Sequence, residues 1–272
     1  MTEQLDLSKS EQYTLSIRLS TDGFSFSIYT PLDGNALFYQ TFAINQQHSM
    51  AANVKIFISQ IKEFSYSYKR INILMTSPKY TVVPMQFYND DDVDTIYHQS
   101  LPKAANDIIL CNMLSRSNVA IIFSIDKLSH LYLSEKFPSA KFYAGISPII
   151  EDFSSRSKQG NCRKIFANIT QNNLDLLGFE KGSPIIINSF KTANTEDICY
   201  YILNVWQQSN YDPNRDELHL YADQAIRKEI SARLQDFIRH IYIINPKAEF
   251  SNAISNGNNE IPFEMQSIIT CE

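Results

Sequence analysis

The feature that most constrains the fold is a pattern of three short strands followed by a helix, which occurs twice in the chain. In the later copy, apolar runs at 163–170, 174–179 and 184–190 are separated by turn residues. The helix that follows has one apolar face, formed by Ile198, Ile202, Val205 and Trp206. The earlier copy has runs at 15–20, 24–30 and 36–44, and then a helix with Met50, Val54, Phe57, Ile58 and Ile61 on one face.

The two copies align at a constant spacing. Gly34 and Gly182 are 148 positions apart, and the same spacing places Phe42 on Phe190 and Ile28 on Leu176. A repeat of this length predicts an internal duplication that gives two similar lobes. The segment 154–161 is rich in Ser, Lys, Gln, Gly and Asn and precedes the second copy, so it is the predicted boundary. We therefore expect one lobe at 10–158 and a second at 159–272.

Composition favours a soluble α/β protein and argues against several functional classes. Of the 272 residues, 44% are hydrophobic and 19% are charged, and the formal net charge is −5. Because phosphate backbones are bound by clustered Lys and Arg, nucleic acid is not an expected partner. The four cysteines form no C-x-x-C pair, and the chain has no signal peptide or apolar run long enough to span a bilayer. We expect a cytoplasmic protein that binds another protein and not a membrane; the oligomeric state stays open.

The remaining segments also alternate between strands and helices. An extended segment is predicted at 80–88, with a strand pair at 108–114 and 119–125. Ser255 to Asn259 form a predicted polar loop, and the apolar tail at 261–269 is predicted to dock on the protein. The other predicted elements are helices at 127–136, 149–157 and 225–239 and strands at 71–76, 141–144, 218–221 and 241–244.

This order of elements resembles the duplicated ribonuclease-H-like lobes of the actin and sugar-kinase superfamily. With its closing Ile261-Pro-Phe-Glu264 segment, the chain also resembles an uncharacterised bacterial family, domain of unknown function 3822, which itself resembles actin-like ATPases. The resemblance covers nearly the whole chain and is carried by a pattern of elements. It implies an α/β protein of the actin-like ATPase fold with two lobes of mixed sheet and helices. It implies no particular activity.

The superfamily binds ATP through glycine-rich turns, and each can be compared with this sequence. The first hairpin should carry Asp-x-Gly-Ser/Thr, whereas this chain has Thr21-Asp22-Gly23-Phe24. The second hairpin has Gln171-Asn172-Asn173, with neither glycine nor carboxylate. The adenosine turn should contain Gly-Gly but reads Ala222-Asp223, and there Asp223 is better explained as a helix N-cap. Because Cβ atoms keep the backbone away from a phosphate, these turns argue against nucleotide binding.

We therefore expect a non-catalytic binding or scaffolding protein with degenerate nucleotide loops, a pseudo-ATPase. No catalytic residue, metal ligand or cofactor is predicted. The alternative is an ATPase or small-molecule kinase with an atypical site between the lobes, and only this alternative involves ATP and Mg²⁺. If any residues contact a nucleotide, they are Thr21, Asp22 and Gly23 of the first turn and Asn172 and Asn173 of the second.

Overall fold

The chain is divided into two compact units, each with one large mixed β-sheet. The computed structural model describes residues 6–30, 36–170, 172–245, 253–255 and 261–270. The first unit comprises Met1–Leu114, Val119–Ile149 and Lys247–Glu272, and the second comprises Ser115–Asn118 and Ile150–Pro246.

The sheet of the first unit has six strands in the order β14-β3-β2-β1-β4-β8. These are β1 (Thr14–Ser20), β2 (Gly23–Thr30), β3 (Ala36–Phe42), β4 (Arg70–Thr76), β8 (Lys141–Ala144) and β14 (Ala253–Ser255). A smaller sheet in the same unit has the order β5-β7-β6, formed by β5 (Tyr80–Pro84), β6 (Asp107–Leu114) and β7 (Val119–Asp126). The helices of this unit are α1 (Met50–Gln60), α2 (Val93–Ser100), α3 (Lys127–Lys136) and α7 (Phe263–Thr270). Short 3₁₀ segments lie at Leu7–Gln12, Lys62–Ser65, Met85–Phe87 and Asp90–Asp92.

The sheet of the second unit has five strands in the order β11-β10-β9-β12-β13. These are β9 (Lys164–Thr170), β10 (Asn173–Glu180), β11 (Ser183–Lys191), β12 (Glu217–Tyr221) and β13 (His240–Ile243). Its helices are α5 (Thr195–Gln208) and α6 (Gln224–Leu234), together with the end of α4 (Ile146–Ser157), which begins in the first unit.

The two main sheets share one topology. β1 pairs antiparallel with β2 and parallel with β4, and β9 pairs in the same way with β10 and β12. The tight turns Ser20–Gly23 and Thr170–Asn173 correspond at a spacing of 150 residues. In the third strand the spacing is 148, because Phe24 pairs with Phe42 and Leu174 pairs with Phe190. The predicted match of Phe42 with Phe190 therefore agrees with the strand register, whereas Ile28 corresponds to Gly178 and not to Leu176. The Asp33-Gly34 turn used for the alignment lies outside the described residues.

Aromatic packing explains why the first hairpin folds onto α1. Alternate residues of β2 point to one face, so Phe24 and Phe26 both reach Phe57 on α1, with ring centroids 5.5 and 6.3 Å apart. Phe24, Phe26 and Phe57 are at most 2% exposed. In the second unit the equivalent core joins Leu174 and Leu176 of the sheet to Ile202 and Trp206 of α5. In both units the apolar helix face that the residue spacing predicted packs against the sheet.

The opposite face of the first sheet is covered by α7. Met265 and Ile268 pack against Leu37, Tyr39 and Leu74. The prediction that the apolar tail docks is thus confirmed, and the tail belongs to the first unit. The lobe ranges 10–158 and 159–272 stay predictions, because compact units defined by contacts do not report which segments fold independently. The units differ from those ranges in the place of the tail and in the division of α4.

Three local predictions need correction. The segment 154–161 is not a linker throughout, because Ser154 and Ser157 lie in the last turn of α4 and are buried. The Ser154 hydroxyl donates to the Gly182 carbonyl and the Gly182 N–H donates to Ser157 Oγ, which fixes the helix end on the β10–β11 turn. The extended segment at 80–88 ends at Pro84 and continues as a 3₁₀ turn. The helix predicted at 225–239 ends at Leu234.

Candidate functional site

The first hairpin turn holds the one carboxylate that the sequence placed in either of the two hairpin turns. Thr21 and Asp22 are exposed at the tip of the turn, and Gly23 has φ of 148°, a conformation that favours glycine. The Arg18 guanidinium donates to both oxygens of Asp22, at 3.1 and 3.4 Å. The carboxylate of Asp22 is thus already engaged by a cation from its own hairpin.

Arg18 also binds a residue near the far end of the chain. Its Nε donates to Oε1 of Glu264 on α7 at 2.7 Å, and Thr76 Oγ1 donates to the same oxygen at 3.3 Å. The side chains of Arg18 and Glu264 are only 12% and 8% exposed. Arg18 lies on β1 between inward-facing Ile17 and Leu19, so strand alternation directs it to the face that α7 covers. The three residues Arg18, Asp22 and Glu264 form what we call the arginine cluster.

The charges of the arginine cluster stabilise one another. Burial acts to lower the pKa of Arg18, but Glu264 and Asp22 together raise it, so the guanidinium stays charged. Partial burial acts to raise the pKa of Asp22, and attraction to Arg18 outweighs it and lowers that pKa. Two carboxylates around one guanidinium form charge-assisted hydrogen bonds, which are stronger than hydrogen bonds between neutral groups. The arginine cluster can hold α7 against the sheet, and it holds Asp22 as an anion without a metal.

The second hairpin turn places no carboxylate at its tip, but a buried one lies beside it. Asn172 is exposed at the turn, and Asn173 donates through Nδ2 to Oδ1 of Asp175 at 2.8 Å. Asp175 also accepts from Asn168 at 3.0 Å and from the Ser189 hydroxyl at 2.7 Å. All three donors are neutral, and Asp175 is 8% exposed. Oδ1 of Asn168 is buried without a hydrogen-bond partner among the described residues.

Sequence reasoning missed Arg18, Glu264 and Asp175 as members of these two turn regions. The sequence did contain a signal for Arg18 and Asp175, since each is a charged residue inside an otherwise apolar strand. Such a residue needs a polar partner when it is buried. Gln171, the first residue of the second turn, lies outside the described residues. Asp223 occupies the N-cap position of α6, but its side chain makes no capping hydrogen bond.

A second polar group surrounds Glu217 on β12. Its Oε2 lies 3.1 Å from Nζ of Lys164 and 2.8 Å from Nε2 of His219. Burial acts to raise the pKa of Glu217, but hydrogen bonds from His219, Cys162 and Lys164 lower it to about 2. Burial also lowers the pKa of His219, against the opposing effect of Glu217. Glu217 is therefore a fixed anion at neutral pH.

A small pocket of about 110 Å³ lies nearby in the second unit, and two of the charged side chains that line it bind each other. Arg163 pairs with Asp216 at 3.1 Å, and Arg215 donates to the Asn161 carbonyl at 2.8 Å. Within the described part of the chain, no group of three or more His, Cys, Asp or Glu side chains is placed to hold a metal ion. The helices in that part are all too short or too polar to cross a bilayer. The contacts among the residues that line the pocket indicate no particular reaction.

Comparison with known proteins identifies the family. The model of a family described as a protein of unknown function, DUF3822, matches residues 2–241. A solved structure from Bacteroides thetaiotaomicron, described as having an actin-like ATPase fold and unknown function, is 38% identical, covering 99% of this chain and 100% of that one with a TM-score of 0.85. A chain of a PilM–PilN type IV pilus biogenesis complex is 9% identical with 95% of each chain covered and a TM-score of 0.53, a likeness in fold alone. Curated proteins gave no match. The chain belongs to the DUF3822 family and has the actin-like ATPase fold.

Proposed function

We propose that this protein is a non-catalytic member of the actin-like fold that binds or scaffolds a partner protein and does not use ATP. The arginine cluster carries the proposal. ATP chemistry on this fold needs a carboxylate near the metal and backbone N–H groups close to the phosphates. Asp22 is the acidic residue available in the first turn, and it is neutralised by Arg18 at 3.1 Å.

The position of Arg18 adds a second argument. A Mg²⁺ ion at Asp22 would lie beside a guanidinium that Glu264 also fixes in place, so the ion and Arg18 would repel each other. Moving Arg18 away would leave Glu264 buried with its charge unpaired, which is strongly unfavourable. The cluster therefore opposes metal binding at this turn.

The second turn supports the same conclusion. Asn172 and Asn173 present neutral amides where the superfamily has an Asp/Gly-rich loop. The carboxylate of Asp175 accepts three hydrogen bonds from neighbouring side chains and is buried. Neither group is arranged to hold a metal–phosphate complex, so binding of a protein is the better-supported role.

Three further features of the proposal follow from the described residues. The shared topology of the two sheets supports an origin by internal duplication. The described cysteines, Cys111, Cys162 and Cys199, are free thiols, which supports a reducing, cytoplasmic compartment. The relative from Bacteroides thetaiotaomicron supports a bacterial source.

Calorimetry with Mg-ATP tests the proposal directly. We expect no saturable heat of binding and no phosphate release from the wild-type protein at millimolar ATP. A thermal shift provides an independent measurement, because a ligand at 100 times its Kd adds about 2.7 kcal/mol to the free energy of unfolding.

Two variants decide what a positive result would mean. Asp22→Ala removes the turn carboxylate, and Asp91→Ala removes an exposed carboxylate in the first unit as a matched control. If Mg-ATP bound with a micromolar Kd, and if Asp22→Ala abolished this binding while Asp91→Ala preserved it, the non-catalytic proposal would be wrong. The alternative, an ATP-dependent enzyme, would then take its place.

A further inference from the structure

Strand β11 is the most open sheet edge in the described part of the chain. It runs for nine residues at the edge of the second sheet. Short edge strands resist pairing with other chains, and β8, β13, β14 and β5 have three to five residues. The eight-residue edge β6 is partly covered, because the amide of Asn112 bonds Phe142 and Ala144 on β8 at 2.8 and 2.9 Å.

The hydrogen-bond register shows which backbone groups of β11 face outward. The Thr192 N–H donates to the Asn172 carbonyl, and Phe190 pairs with Leu174. Because bonded and non-bonded pairs alternate in an antiparallel ladder, Phe190 and Asn188 bond β10, whereas Ile187 and Ser189 point their N–H and C=O groups away from it. The side chain of Asn188 already accepts from the outward Ser189 N–H at 2.9 Å, so Ile187 provides the outward N–H for a partner strand.

Apolar side chains flank this edge. Ile185 is 43% exposed, and Tyr200 on α5 is 63% exposed. Phe190 is partly buried and stacks on Tyr201 with ring centroids 4.4 Å apart. Sheet edges are commonly protected by charge, proline or a β-bulge. Here Pro184, the bulge at Ile185 and Lys191 lie toward the ends of the strand, and the segment 186–190 contains no proline or charged residue.

The equivalent edge of the first sheet already carries an added strand. β3 occupies the same position as β11, and β14 pairs with it in parallel through Leu37, Phe38 and Tyr39. At the 148-residue spacing of the third strands, Phe38 and Tyr39 correspond to Ile186 and Ile187. The part of β11 that would receive a strand is therefore the apolar part whose backbone groups face outward.

We propose that β11 binds an extended, apolar segment of a partner protein, which adds to the second sheet as a parallel strand. This deepens the proposed binding function and rests on it. Backbone hydrogen bonds to Ile187 provide the affinity, and every second side chain of the segment lies on the same face of the sheet as Phe190. A partner fits better than a second copy, since two copies related by a two-fold axis would pair β11 antiparallel, unlike the parallel pairing at β3.

A phage-displayed library of random heptapeptides, selected on the full-length protein, provides the probe. Binding of a selected synthetic peptide is then measured by fluorescence anisotropy for wild type, Ile187→Pro and Ile187→Ala. Proline is tolerated on an edge strand where the N–H faces solvent, so Ile187→Pro removes the outward donor. We expect it to weaken binding about tenfold or more, which corresponds to 1.4 kcal/mol. Ile187→Ala keeps the donor and is expected to weaken binding less than about threefold.

A second measurement leaves the protein unchanged. Peptides N-methylated at alternate residues lose the donors of one edge only, so one methylated set should abolish binding and the other should retain it. Circular dichroism melting of both Ile187 variants shows whether the fold is kept.

The proposal is overturned if no peptide is selected, or if the selected peptides bind Ile187→Pro as tightly as wild type. It is also overturned if the wild type sediments as a dimer that Ile187→Pro separates, because the edge then belongs to a second copy. Peptides that bind elsewhere would refute this edge and leave a protein-binding role intact. Mg-ATP binding that depends on Asp22 would instead refute the proposed function.

Discussion

Single charged side chains determine the local chemistry of both hairpin turns. Arg18 is set into the first strand of the sheet, where Asp22 and Glu264 compensate its charge. The matching position in the second unit is Asn168, which donates to buried Asp175. Near each turn a carboxylate is hydrogen-bonded by neighbouring side chains. A ligand that used either carboxylate would therefore have to compete with existing hydrogen bonds.

Glu217 gives a pH-dependent prediction at the same scale. Its pKa is about 2 in the folded protein against an ordinary value of 4.5. A carboxylate with a depressed folded pKa contributes stability above its unfolded pKa, and that contribution is lost as the pH falls from about 4.5 to about 2. Glu217→Gln has no carboxylate to protonate at this position. Its free energy of unfolding should therefore fall less than that of the wild type between pH 4.5 and pH 2.

Urea unfolding followed by Trp206 fluorescence at a series of pH values measures this difference. Glu135→Gln, which changes an exposed glutamate on α3, is the control and should keep the wild-type acid dependence. Equal loss of stability in Glu217→Gln and wild type between pH 4.5 and pH 2 would contradict the assignment.

The C-terminal helix is the element whose packing was least visible in the sequence. Its apolar residues predicted that it would dock, but the surface that receives it comes from β3 and β4, far away in the chain. Met265 is fully buried there, and Glu264 fixes the start of the helix to Arg18 on β1. Helix α7 is thus held by both apolar burial and a charged anchor.

Replacement of Glu264 tests the anchor. Glu264→Gln leaves the buried Arg18 with Asp22 as its anionic partner, and the new amide oxygen can accept one hydrogen bond. We expect the free energy of unfolding to fall by about 1–3 kcal/mol, less than the ~3–5 kcal/mol typical of a buried charge left unpaired. Urea denaturation measures the change.

The matched control removes the other partner of the same guanidinium. The side chain of Asp22 is 67% exposed, so Asp22→Asn should cost at most about 1 kcal/mol. If Asp22→Asn destabilised the protein as much as Glu264→Gln, burial would not be the reason for the strength of the Arg18–Glu264 pair.

For the whole molecule, the segment that joins the two copies of the motif is shorter than the sequence indicated. α4 continues to Ser157, and its last turn is hydrogen-bonded to Gly182. The exposed, non-helical residues begin at Lys158 and continue to Asn161. The other predicted cleavage region, 255–259, lies almost entirely outside the described residues.

Limited trypsin digestion tests this boundary at residue resolution. We expect cleavage after Lys158 and not after Arg156, because Arg156 is helical and pairs with Asp152 at 2.9 Å. Mass spectrometry of the fragments separates the two sites. Lys158→Gln should remove this cut without creating one at Arg156; early cleavage after Arg156 would mean that the end of α4 unfolds readily.

The sequence by itself determined the local elements and their order. Apolar periodicity and turn residues predicted the strands of both hairpins, the helix at 127–136 and the strand at 141–144, and these are confirmed. Such features depend on residues close together in the chain, so spacing alone is enough to predict them. The missing glycines in the turns could also be read directly.

Only the tertiary structure decided which side chains meet. Arg18 and Glu264 are 246 residues apart, and no periodicity links them. Ser154 and Ser157 suggested a polar linker until their bonds to Gly182 showed a buried helix end. A buried polar group is stable only where a distant segment supplies its partner, and that partner is fixed when the sheet and its covering helix come together. The order of the elements was therefore predictable from local pattern, whereas the arginine cluster depends on long-range packing.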